Sequence, residues 1–80
     1  MTYLWQEEKR KPFWRIQTDE KGIYNKLKRR KSTTLAVWGL NTNLCVFTME
    51  FYSPKEAKTS LGRITGRKVN KDAENDEFYA

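Results

Sequence analysis

Residues 53–66, SPKEAKTSLGRITG, carry every start and stop signal of a helix. Ser53 stands at the N-cap position, Pro54 at the first helical position and Glu56 at the third. That is a capping box with the favoured proline. The Ser53 hydroxyl can accept from the Glu56 amide, and Pro54 has no amide hydrogen to leave orphaned. Ala57, Leu61 and Ile64 recur at i, i+4 and i+7, which makes one apolar stripe. Gly66 sits where a left-handed terminating residue belongs. The opposite face carries Lys55, Lys58, Thr59 and Arg63, with Arg67 and Lys68 just past the end. Such a helix must lay its stripe on an apolar surface and leave a basic face in water.

The preceding residues offer that surface. In LCVFTMEFY (44–52), Cys45, Phe47, Met49 and Phe51 alternate with Leu44, Val46, Thr48, Glu50 and Tyr52. The first set is wholly apolar, so it should face the core of a strand. TTLAVWGL (33–40) is a second β-branched and aromatic run, and NTN between the two is turn chemistry. This partner brings either Leu35 and Val37 or Ala36, Trp38 and Leu40 to the core, according to register. PFWRIQT (12–18) is a third strand, with Trp14 and Ile16 on one face and Phe13, Arg15 and Gln17 on the other.

TDEKGIYNKLKRRK (18–31) reads as a helix capped by Thr18. Asp19 and Glu20 would occupy its first turn and Lys28, Arg29 and Arg30 its last, both as the helix dipole favours. Ile23 and Leu27, with Tyr24 beside them, form its buried stripe, and Gly22 weakens it by about 1 kcal/mol against alanine. The order is therefore β-α-β-β-α. A right-handed crossover would set the first strand beside the third, with the hairpin partner outside. The expected fold is α+β: a small three-stranded sheet with both helices on one face, a truncated ferredoxin-like, split βαβ arrangement. EFYA near the end would make the sheet four-stranded if it adds an edge strand. Residues 12–68 form the single expected domain. Residues 1–11 are read as an arm or short extra element, and residues 69–80 as an acidic, mobile tail.

Charge is distributed unevenly. Residues 1–71 hold all sixteen Lys and Arg and six of the ten acids, a balance of +10, whereas the last nine residues carry Asp72, Glu74, Asp76 and Glu77 and no base. A basic body attracts polyanions. The chemistry available for catalysis is thin. There is no histidine to act as a general base near neutrality, and no glycine-rich phosphate loop with its lysine. The single cysteine, Cys45, falls on an apolar strand face, where a thiol is inert, and it has no partner for a disulfide. Structural metal sites need several Cys or His ligands, which the chain lacks. The expectation is a protein that is not an enzyme and uses neither metal nor cofactor. No apolar run reaches a membrane span and no signal peptide opens the chain, so a cytoplasmic setting is expected.

The candidate ligand is nucleic acid, DNA or RNA, held mainly by backbone phosphates with low sequence specificity. The bases expected to carry it are Lys26, Lys28, Arg29, Arg30 and Lys31 at the end of the first helix, and Lys55, Lys58, Arg63, Arg67 and Lys68 on and after the second. Phe13, Trp38 and Tyr52 are the candidates for stacking on bases or for an interface. The plainer account of the same residues is that bases at helix C-termini partner the dipole and charge runs solvate. A different reading is a protein–protein interaction module, such as a small adaptor or inhibitor of the sort carried by phages and mobile elements, or a homodimer. It would use exposed aromatics and an open sheet edge. KLKRRK resembles a nuclear import signal and RRKS a basophilic kinase site, but both are short enough to recur by chance.

Overall fold

One antiparallel sheet runs the length of the molecule, with two helices packed on one of its faces. The computed structural model describes residues 1–9, 12–30, 33–38, 44–74 and 76–80, and of 35–38 the backbone alone. In chain order the elements are β1 (Thr2–Gln6), β2 (Phe13–Thr18), α1 (Lys21–Arg29), β3 (Thr34–Trp38), β4 (Cys45–Glu50), α2 (Pro54–Thr65), β5 (Asn70–Asp72) and β6 (Glu77–Tyr79). The sheet order is β3-β4-β2-β1-β6-β5. Every neighbouring pair is antiparallel.

Its centre is the expected split βαβ unit. The third predicted strand, β4, lies between β2 and β3, and α1 makes the crossover. The remainder corrects the three- or four-stranded, truncated ferredoxin-like expectation. The free edge of β2 is taken by β1, from the N-terminal segment read as an arm or short extra element. The tail read as mobile returns as the β5–β6 hairpin, and β6 pairs with β1. Short segments such as these gain little from local propensity. They become strands because β2 presents an unpaired ladder of N–H and C=O groups that must find partners.

Register follows burial. Leu4 lies opposite Ile16, Ile16 opposite Phe47, and Phe78 opposite Leu4. These residues share one face with Trp14, Cys45 and Met49, and all of them are buried. Ile23 and Leu27 of α1 and Ala57, Leu61 and Ile64 of α2 close over that face in a single core. Trp14 sits at one end of it, edge-on to Phe51 and stacked on Phe78, with both centroid distances 6.2 Å. Each aromatic ring removes a large area from water, so a chain of this size can hold a core.

α2 forms as its sequence dictates. Ser53 Oγ accepts from the Glu56 amide at 3.2 Å, and Gly66 ends the helix at φ 65°, its N–H donating to Gly62 O at 2.9 Å. α1 starts later than expected. Its N-cap is Glu20, without a side-chain cap bond, and its first turn holds no acid. Thr18 is instead the last residue of β2, buried and paired with Thr2 and Cys45. Sheet pairing on both sides outweighs the capping preference of one hydroxyl. The Thr18 hydroxyl still serves the joint, since Glu20 N donates to it at 3.1 Å.

Candidate nucleic-acid interface

The bases expected to meet phosphate project from the helix layer. Lys26, Lys28, Arg29, Arg30, Lys55, Lys58, Arg63, Arg67 and Lys68 are all exposed, and Lys31 lies outside the described residues. Part of this set converges. Lys55, Lys58, Arg67 and Lys68, with Thr59, Gly62 and Val69, line a shallow groove of about 450 Å³ along α2 and its exit. Lys26 reaches across from α1, its Nζ donating to Ile64 O in the last turn of α2 at 3.2 Å. That contact serves a carbonyl near the helix C-terminus, where a cation is favoured. Lys28 turns elsewhere. Its Nζ lies 5.9 Å from the centroid of the Tyr24 ring, and Tyr24 leans on Phe47 of β4.

Among the described residues, Arg67 alone of these bases has a carboxylate within ion-pair distance. Both of its terminal nitrogens donate to the two oxygens of Glu20. The Arg67 guanidinium holds the Glu20 carboxyl below the usual carboxylate range, against a desolvation effect that would raise it. Glu20 in turn raises the Arg67 pKa. Asp19, beside it, is lowered chiefly by a hydrogen bond from the amino group of Met1, at 3.0 Å. The acids read as first-turn dipole partners are therefore ion-pair acceptors just ahead of the helix.

The three aromatic candidates separate. Phe13 stands exposed on the sheet face away from the helices. Tyr52 follows β4 and is 86% exposed at the entry to α2, so it belongs to neither sheet face. Trp38 pairs with Cys45 in backbone register, and its side chain lies outside the described residues. The outer face also carries aromatics that the sequence reading missed. Tyr3 and Trp5 of β1 and Tyr79 of β6 are half-buried there, Tyr3 opposite Gln17 and Tyr79, and Trp5 opposite Arg15. The signal was present in TYLWQ, where Thr2 and Leu4 alternate with Tyr3 and Trp5.

The two faces differ in charge. Among the described strand residues, the register groups Glu50, Asp72 and Glu77 on the outer face with one base, Arg15, whose guanidinium is bound to Glu7 at 2.8 Å. Cys45 is buried on the core face, and burial raises its thiol pKa. Among the described residues no three His, Cys, Asp or Glu side chains gather as a metal ion would require. No helix among them is long and apolar enough to cross a membrane. The chain matches no protein-family model, no curated protein and no solved structure.

Proposed function

We propose that the helix layer binds nucleic acid through backbone phosphates, with little sequence specificity. One observation carries this reading: the exposed bases of α1 and α2, Arg67 excepted, stand without carboxylate partners among the described residues. One of them is also placed against the helix dipole. Lys55 lies in the first turn of α2, where a cation is disfavoured, so capping does not account for it. Lys58, Arg67 and Lys68 line the groove with it. The protein would act as a binding protein in the cytoplasm, without catalysis or cofactor.

Titration of a labelled duplex and a labelled single strand at two salt concentrations tests this. If six of these bases meet phosphates, the log–log salt slope for duplex DNA is about −5. Absence of binding at low salt, or binding indifferent to salt, overturns the proposal.

A second reading rests on the outer sheet face. Tyr3, Trp5, Phe13 and Tyr79 lie there among acids, which repel a polyanion and suit a protein partner. Its mark would be an association that survives high salt and weakens on Trp5→Ala.

A further inference from the structure

The outer sheet face sets aromatic rings beside carboxylates. Phe13 stands directly opposite Glu50, and at 41% exposed its ring is open to solvent. Cross-strand partners of this kind have Cβ atoms about 5 Å apart. Trp5 and Glu77 line one cleft of about 480 Å³, together with Gln6, Glu7, Lys9 and Asp76, so three carboxylates there face one ammonium group. Glu7 is taken by Arg15, and Asp76 lies 3.8 Å from Lys71 Nζ. Glu50 and Glu77 have no hydrogen-bond or ion-pair partner among the described residues.

The face already holds one guanidinium of its own in this manner. Arg15 is the register partner of Trp5, and its Nη2 donates to Glu7 Oε1 at 2.8 Å. A ring beside a carboxylate is a site for a cation. The ring's quadrupole attracts charge over its face, and the carboxylate accepts the cation's hydrogens. Arginine suits both parts better than lysine, because its planar guanidinium stacks on a ring and is weakly hydrated. The pairs Phe13–Glu50 and Trp5–Glu77 offer these two parts again, with no described base within ion-pair distance of either carboxylate.

Spacing narrows the occupant. Trp5 lies opposite Arg15, two residues from Phe13 along β2, so Trp5 and Phe13 are diagonal neighbours, about 7–8 Å apart. Alternate side chains of an extended segment are about 6.5 Å apart. We propose that this face binds an extended segment of a protein partner with arginine at alternate positions. One guanidinium rests on Trp5 against Glu77, and the next on Phe13 against Glu50. The proposal rests on the reading of the outer face as a surface for a protein partner, and it names what that partner brings.

The test is a titration of ¹⁵N-labelled protein with an acetylated, amidated octapeptide of alternating threonine and arginine, following the assigned indole N–H resonance of Trp5. The chain carries +6, so its overall field repels this peptide and binding reports the local carboxylates. The expected result is a saturable movement of that resonance. Glu50→Gln with Glu77→Gln keeps the shape of both sites and should weaken binding about tenfold, and Trp5→Ala should weaken it by a similar factor. The same peptide with citrulline in place of arginine should leave the resonance unmoved. An equal response to the citrulline peptide overturns this proposal and leaves the reading of a protein partner standing. An unmoved resonance at about 5 mM arginine peptide, beyond which affinity is negligible, also overturns it. So does undiminished affinity in the double carboxylate variant, which decides the matter even if Trp5→Ala fails to fold. A Trp5 resonance that moves on dilution of the protein alone, as its mass in solution falls, gives the face to a second copy and overturns the proposal as well.

Discussion

Glu20 shows how much one side chain can link in a small protein. Its carbonyl accepts from the Tyr24 amide at 2.9 Å at the N-cap of α1, while its carboxylate, which makes no cap bond, accepts from the Thr2 hydroxyl at 3.2 Å and holds the guanidinium of Arg67, forty-seven positions further along the chain. Its folded pKa is depressed, chiefly by Arg67. The stabilisation is therefore fully present above the ordinary carboxylate value of 4.5, and it is lost as pH falls through the lower folded value. Glu20→Gln should melt below wild type at pH 7, and the difference should shrink as pH falls through the lowered folded pKa of Glu20. Thermal melts across that range check this, and a constant offset at every pH would contradict it. The same substitution frees a base. If phosphates are bound at the groove, Glu20→Gln should tighten binding and steepen the salt slope by about one. Neither effect was legible in the sequence. DE at 19–20 looks like ordinary first-turn chemistry, and only the fold brings Arg67 to it.

At the scale of elements, what could be read in advance was what is locally determined. α2 needed only its own residues: cap, proline, stripe and glycine all act within one segment. The alternation of β2 and β4 placed Trp14, Ile16, Cys45, Phe47 and Met49 on the core face, where they are found. β5 was not legible, and β1 and β6 were legible only as an arm or extra element and as a conditional edge strand, because their stability comes from distant partners. KVNKDAENDEFYA has the composition of a solvated tail, yet Phe78 in it is 7% exposed, lies opposite Leu4 and stacks on Trp14. Buried Phe78 and Ala80 outweigh an acidic composition when a sheet edge is waiting for them. Phe78→Ala should therefore cost about 3–5 kcal/mol. That equals the whole stability of about 3–5 kcal/mol expected from a single core of this size. Urea titration would find the variant largely unfolded without denaturant. Tyr79→Ala, one residue on but facing outward, should shift the midpoint only slightly. An unchanged midpoint for Phe78→Ala would mean that the tail does not belong to the core.

Among the described residues, a layer of bases on the helices is backed by a sheet whose outer face is aromatic and acidic. Covering one face of the sheet with both helices has a functional consequence. Groups that would neutralise one another on a mixed surface are kept apart by the thickness of the core. On the proposed reading, a polyanion would be drawn to the helix layer and repelled from the sheet, and a neutral or basic protein surface would have the opposite preference. The two proposed associations should therefore be separable by mutation. Lys58→Glu with Lys68→Glu reverses charge at two positions of the groove and leaves the core untouched. It should flatten the salt slope by about two and weaken duplex binding by roughly a hundredfold at low salt. Trp5→Ala, on the outer face, should leave duplex affinity within about twofold, provided that melting shows the variant folded. Fluorescence anisotropy on the same labelled duplex reads both variants. If Trp5→Ala abolishes binding and the charge reversal does not, the nucleic acid lies on the sheet, and stacking rather than phosphate neutralisation holds it. If both variants bind as wild type does, the basic face is a solvated surface, and the unpartnered lysines of α2 serve solubility rather than a ligand.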